Sequence, residues 1–136
     1  MEEDLMAWLL AGAAVAALVG QRIDYGLPPA GQVLPRIAVH GRDGRAGYTY
    51  AGRDGLAQRG FQIDCWASDA DTALALRRAV EARMDAANAP GSGAGFHAFV
   101  ETLPDYAEAA EGAPGAQVPS TYFRSSLDTR VWRPTA

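Results

Sequence analysis

Residues 61–72 read FQIDCWASDADT, and within this stretch the pattern changes from that of a strand to that of a helix start. Phe61, Ile63 and Cys65 alternate with polar or bulkier neighbours, which places these three on one face of a strand. Ser68 is a residue type that caps helices, and an aspartate three positions further on resembles a capping box. The stretch therefore predicts a half-buried strand that leads directly into a helix.

The helix that follows is predicted at residues 69–88, because apolar side chains recur there at helical spacing. Two further helical segments are predicted at residues 2–11 and 13–19, with a break at Gly12. The apolar run 5–19 follows three acids and is shorter than the roughly 20 residues of a membrane span. We therefore expect these segments to be buried helices of a globular protein.

Alternating apolar residues predict four strands, at residues 35–41, 57–66, 96–103 and 119–133. Long loops are predicted inside both strand pairs, at residues 42–56 and 104–118. The element order is α-β-β-α-β-β. This order predicts an α+β fold with one antiparallel sheet of about four strands and helices packed on one face, as a single domain over residues 1–136.

The composition fits one globular domain, with 136 residues, of which 49% are hydrophobic and 21% charged. A formal net charge of −4 gives no general reason to expect tight binding to nucleic acid. All twelve basic residues are arginines, whose planar guanidinium groups suit carboxylate partners at protein interfaces. A single cysteine excludes an internal disulfide.

That cysteine, Cys65, is the candidate nucleophile of the chain. It shares an apolar strand face with Phe61 and Ile63, which is typical of an inert core thiol. A catalytic thiol needs a histidine, a cation or a helix N-terminus to lower its pKa. His40 and His97 both lie on predicted strands, so the sequence leaves open whether one of them lies beside Cys65.

Metal and phosphate sites are not predicted, and neither is any cofactor. Asp69 and Asp71 have the spacing of a calcium-loop start, but the glycine that such a loop needs is missing, and helix capping explains both acids. Two histidines and one cysteine without close spacing do not indicate zinc. The glycine run at 91–95 follows a helix and precedes a strand, the reverse of a phosphate-binding loop.

The two long loops are the candidate functional segments, because loops of this length in a compact domain are often functional. The first contains residue types that are enriched at protein interfaces, namely Arg42, Arg45, Tyr48, Tyr50 and Arg53. The second is acidic and contains Asp105, Glu108 and Glu111. We predict that these eight residues contact neighbouring subunits or partners; the alternative is that both loops are simply solvated.

An ordered set of short motifs links the chain to a known family. These motifs are LLAGAAVAALVGQRI (9–23), LPRIAVHG (34–41), QRGFQIDCWASD (58–69), TALALRRAVEARMDA (72–86) and STYFRSSLDTRVWRP (120–134). The most specific parts are FQIDCWA (61–67) and SLDTRVW (126–132). Together they resemble the tail-completion proteins of tailed bacteriophages, a family that includes the tail terminators of phage-like gene transfer agents.

The resemblance implies a virion structural protein with no catalytic residues, made in the cytoplasm of the bacterial host. It implies a ring, probably a hexamer, at the head–tail junction that caps the tail tube. The implied partners are other copies of the chain, the tail tube protein and the head connector. No membrane is implied, and DNA is expected to pass through the lumen without specific binding. The alternatives are another neck component, of the head-closure or adaptor type, and a small enzyme that uses Cys65.

Overall fold

The computed structural model describes residues 1–26, 33–102 and 123–134, and this part of the chain contains three helices and five strands. The helices are α1 (Glu2–Leu10), α2 (Ala13–Val19) and α3 (Ala70–Ala86). The strands are β1 (Ile23–Tyr25), β2 (Arg36–Thr49), β3 (Gly52–Ala67), β4 (His97–Thr102) and β5 (Phe123–Pro134).

All five strands belong to one sheet, in the order β1-β2-β3-β5-β4. The pairs β2–β3, β3–β5 and β4–β5 are antiparallel, whereas β1 lies parallel to β2. The predicted α+β class is confirmed, but the sheet has one strand more than expected and is mixed. The short segment Ile23–Tyr25 was not predicted as a strand, since three residues are too few to show alternation.

The core lies between one face of the sheet and the three helices. Phe61, Ile63 and Cys65 are fully buried on that face, as their alternation predicted. The helices add Leu5, Leu9, Val15, Val19, Leu76, Val80 and Met84 to the same cluster. The apolar segments near the N-terminus are therefore packed helices, and no helix within the described ranges is long and apolar enough to cross a membrane.

Helix α3 begins one residue later than predicted, because Asp69 and not Ser68 is its N-cap. Asp69 Oδ1 accepts a hydrogen bond from the Thr72 backbone N–H at 2.7 Å, and Oδ2 accepts one from the Thr72 hydroxyl at 2.8 Å. These bonds stabilise the charged carboxylate and lower the pKa of Asp69. A carboxylate that accepts two bonds from one residue is a better cap here than the neighbouring serine.

Helices α1 and α3 are joined by two hydrogen bonds between Trp8 and Arg83. The Trp8 indole N–H donates to the Arg83 carbonyl, and Arg83 Nε donates to the Trp8 carbonyl, both at 2.8 Å. The Arg83 guanidinium also lies 3.4 Å from the centre of the Trp8 ring. Gly12 allows this approach, because a Cβ at that position would overlap the Arg83 side chain.

Residues 42–56 form a hairpin with its turn next to Tyr48-Thr49-Tyr50, as predicted, but the prediction of a loop is wrong, since these residues extend β2 and β3 as strands. Strand β2 runs to Thr49 and β3 starts at Gly52, which leaves only two residues for the turn. The register shifts between Gly41 and Gly44 and again past Ala46, as at β-bulges. These irregularities, together with many glycines, remove the alternation by which a strand is recognised in a sequence.

Candidate interaction surface

The outer end of the β2–β3 hairpin projects beyond the rest of the sheet. The pairing of β3 with β5 ends at Leu56 and Pro134, so within the part of the chain that the structure describes, residues 48 to 53 pair only with each other. Tyr48 lies opposite Arg53, and Thr49 lies opposite Gly52. This end of the hairpin, residues 45–56, is called the hairpin tip below.

The hairpin tip is structured by its own side chains. The Thr49 hydroxyl accepts a hydrogen bond from the Ala51 N–H at 3.2 Å and donates to the Gly52 carbonyl at 3.3 Å. Gly52 has φ +119°, a conformation that favours glycine, so the sharp return of the chain depends on it. The tip is thus a defined turn, closed by hydrogen bonds of Thr49 and by the conformation of Gly52.

Aromatic and cationic side chains dominate the surface of the tip. Tyr50 is fully exposed, and Tyr48 is 68% exposed. The Arg53 guanidinium lies 5.8 Å from the Tyr48 ring centre, and its Nε is 3.4 Å from the Tyr48 hydroxyl. Neither Arg45 nor Arg53 forms an ion pair with any residue in the described ranges. Exposed tyrosines beside arginines without carboxylate partners are typical of a protein-binding surface.

Among the predicted interface residues of the hairpin, Arg42 differs because it forms an ion pair within its own subunit. Its Nη1 lies 2.8 Å from Asp128 Oδ2 on β5. Next to it, Asp43 lies 3.4 Å from Arg130, which also binds Glu101 on β4 at 2.7 Å. The Glu101 hydrogen bond is the main reason that the pKa of Arg130 is raised. These pairs join β2, β5 and β4 at the base of the hairpin.

The sheet face opposite the helices is polar and centres on Asp64, which is only 2% exposed. Its Oδ1 accepts hydrogen bonds from the Ser126 hydroxyl at 2.6 Å and from the Gln62 amide at 2.9 Å. Its Oδ2 lies 3.1 Å from His40 Nε2 and 3.8 Å from Arg124. No local sequence pattern shows this cluster, because its members come from three strands that meet only in the folded sheet.

Cys65 lies on the other face and has no exposed surface. Burial raises the pKa of its thiol, and the nearby Asp64 carboxylate adds to this increase. The β2 residue opposite Cys65 is Ile37, whereas His40 turns to Asp64 on the polar face. His97 pairs with Trp132, seven positions along β5 from Ser125, which is the partner of Cys65. Neither histidine therefore lies beside Cys65, and a thiol with a raised pKa is a poor nucleophile.

A groove of about 590 Å³ lies between α3 and the edge strand β4. It is lined by Glu81, Asp85, Asn88, Ala98, Phe99, Val100 and Glu101. Phe99 is 53% exposed there. The groove lined by these seven residues is called the edge groove below. The spacing of Glu81 and Asp85 puts two acids on one face of α3, but it does not show that β4 lies beside them.

The structure separates the predicted interface residues into three groups. Arg45, Tyr48, Tyr50 and Arg53 lie together on the hairpin tip, and Arg42 lies at the base of the hairpin. Asp105, Glu108 and Glu111 lie outside the described residues. No group of three side chains suited to hold a metal ion occurs in residues 1–26, 33–102 and 123–134.

Comparison with known families and structures finds matches of both kinds. A family model described as "Tail completion protein gp17" matches residues 3–110. Among solved structures, a chain of the "Virion of native gene transfer agent (GTA) particle" is similar, with a TM-score of 0.71 and 18% sequence identity. That match covers 97% of this chain and 92% of the other, so the fold is shared over nearly the whole length. Comparison with curated proteins finds no match.

Proposed function

The chain belongs to the tail completion protein family and is a virion tail protein, and from this premise we propose that it is a tail terminator. In this role, copies of the chain form a ring, a hexamer in our proposal, on the end of the tail tube. The ring stops growth of the tube and joins it to the head connector. DNA passes through the lumen without being bound specifically.

The observation that carries this proposal is the hairpin tip. The core is covered by three helices, yet the β2–β3 hairpin extends as a two-stranded arm past the end of β5. The arm presents Tyr48, Tyr50 and Arg53, which have no role in the core of their own subunit. An arm of this kind is suited to reach a neighbouring subunit or the tube.

The charge of the chain agrees with a conduit for DNA. The net charge is −4, and the arginines at the base of the hairpin are paired with carboxylates within the subunit. Paired arginines are not available to neutralise phosphates, and phosphate neutralisation is the main source of affinity for DNA. An acidic chain whose arginines are paired at this position offers DNA few cationic contacts, as a conduit requires.

Alanine substitution of Arg45, Tyr48 and Arg53 together tests the proposal. We expect the triple variant to lose ring formation on purified tail tubes, because the exposed side chains that reach the neighbour are gone. Its melting temperature should match that of the wild type, since none of the three is buried. Native mass spectrometry and electron microscopy of tube ends would measure both ring formation and ring size.

A matched control is Arg78→Ala, which removes an exposed arginine from α3, away from the hairpin. This control should assemble normally. Rings of wild-type abundance in the triple variant would contradict the assigned role of the hairpin. Isolated subunits are a poor test, because ring formation in our proposal is triggered by the tube end.

A further inference from the structure

We propose that the hairpin tip of one subunit docks into the edge groove of the next copy of this chain. This inference rests on the proposed ring and names the two surfaces that meet in it. Glu81 and Asp85 in the groove form no ion pair with any residue that the structure describes. Arg45 and Arg53 on the tip also form no ion pair with any residue that the structure describes. The two surfaces are therefore complementary in charge.

Their apolar parts also correspond. Phe99 is 53% exposed at the groove, beside the acids, and the tip carries the exposed rings of Tyr48 and Tyr50. Aromatic side chains next to charged pairs are the combination that concentrates binding energy at protein interfaces. In a docked pair, the tyrosine rings cover Phe99 while the arginines reach Glu81 and Asp85.

The backbone of β4 provides a third observation. Ala98 turns its N–H and C=O away from the sheet, and the Asn88 side chain binds both, at 2.8 and 2.6 Å. Val100, two residues further on, turns the same way by strand periodicity. No side chain in the described ranges caps Val100 as Asn88 caps Ala98. At this sheet edge the backbone of Ala98 is thus protected by Asn88, whereas the backbone of Val100 is not protected by any described side chain. Another chain binds readily to an unprotected sheet edge.

The location of the two surfaces favours a ring. The tip extends past the pairing of Leu56 with Pro134, whereas the groove lies at the outer edge of β4, opposite Thr129–Val131. They occupy different parts of one subunit, so contact between them across copies is head-to-tail. Such contacts generate closed rings when the rotation between neighbours divides the circle evenly.

Charge reversal tests the contact directly. One variant reverses the tip, with Arg45→Glu and Arg53→Glu, and the other reverses the groove, with Glu81→Arg and Asp85→Arg. Each alone places like charges against each other and should reduce the number of rings on purified tail tubes by on the order of tenfold or more. An equimolar mixture of the two should restore rings, because subunits that alternate around an even-numbered ring meet only opposite charges.

The controls distinguish loss of this contact from misfolding and from failure of the proposed function. Gln21→Glu adds a charge at an exposed position in the turn between α2 and β1, outside the hairpin tip and the lining of the groove, and should assemble normally. All variants should melt at the temperature of the wild type. Wild-type protein that forms no rings on tubes would overturn the proposed function itself. Wild-type rings together with normal rings in either reversed variant, or no rescue in the mixture of folded variants, would overturn this inference alone.

Discussion

Replacing Asp64 by alanine is expected to lower the free energy of unfolding by about 3–5 kcal/mol, the usual range when one member of a buried charged cluster is removed. The carboxylate is 2% exposed and binds Ser126, Gln62 and His40. Without it, the fully buried Ser126 hydroxyl loses its acceptor, and a cavity remains between β3 and β5. Denaturant unfolding followed by circular dichroism would measure the change.

Two further variants test the explanation. Asp64→Asn keeps an oxygen to accept from Ser126 but loses the charge that faces His40 and Arg124, so its loss should be smaller than that of the alanine variant. Asp43→Ala removes a half-exposed carboxylate that pairs with Arg130, and should lower stability by no more than about 1 kcal/mol. Equal losses in the Asp64 and Asp43 alanine variants would show that the buried cluster is not a stabilising centre.

Replacing Phe61 by alanine is expected to cost about 3–5 kcal/mol, the range for removal of a fully buried aromatic side chain. Phe61 has no exposed surface and lies on β3, the central strand of the sheet. It contacts the core between sheet and helices, where the empty space cannot be filled without moving several elements. The Arg59 guanidinium, 5.4 Å from the centre of the Phe61 ring, would lose this contact as well.

Phe99→Ala is the matched control, since it makes the same chemical change at a 53% exposed position on the edge strand. Its stability should stay within about 0.5 kcal/mol of the wild type. The same control separates folding from assembly, because Phe99 lies in the edge groove and its loss should weaken ring formation. A large loss of stability at Phe99, or a small one at Phe61, would contradict the assignment of core and surface.

The sequence predicts the core of this protein well because burial leaves a periodic trace. Phe61, Ile63 and Cys65 recur every second residue, and the apolar side chains of α3 recur every three or four. Strand β1 and the extension of the hairpin are missed for a local reason. The first has only three residues, and the second is interrupted by register shifts near Gly41 and Gly44.

The polar cluster and the edge groove depend on long-range contacts that no local pattern shows. Asp64 meets Ser126 because β3 and β5 pair in one particular register, 62 residues apart in the chain. Glu101 joins Glu81 and Asp85 only because β4 lies beside α3. The tyrosines and arginines of the hairpin tip were identified by composition, whereas their projection from the sheet follows from where β5 ends.

The most direct test of the terminator role is the length of tails made without this protein. Electron microscopy of lysates from a strain that lacks the gene would measure tail length and attachment to heads. We predict tubes that grow past their normal length and remain separate from DNA-filled heads, and normal particles when the wild-type gene is supplied in trans. Detached tails of normal length would indicate another neck component, and attached tails of normal length would contradict the account.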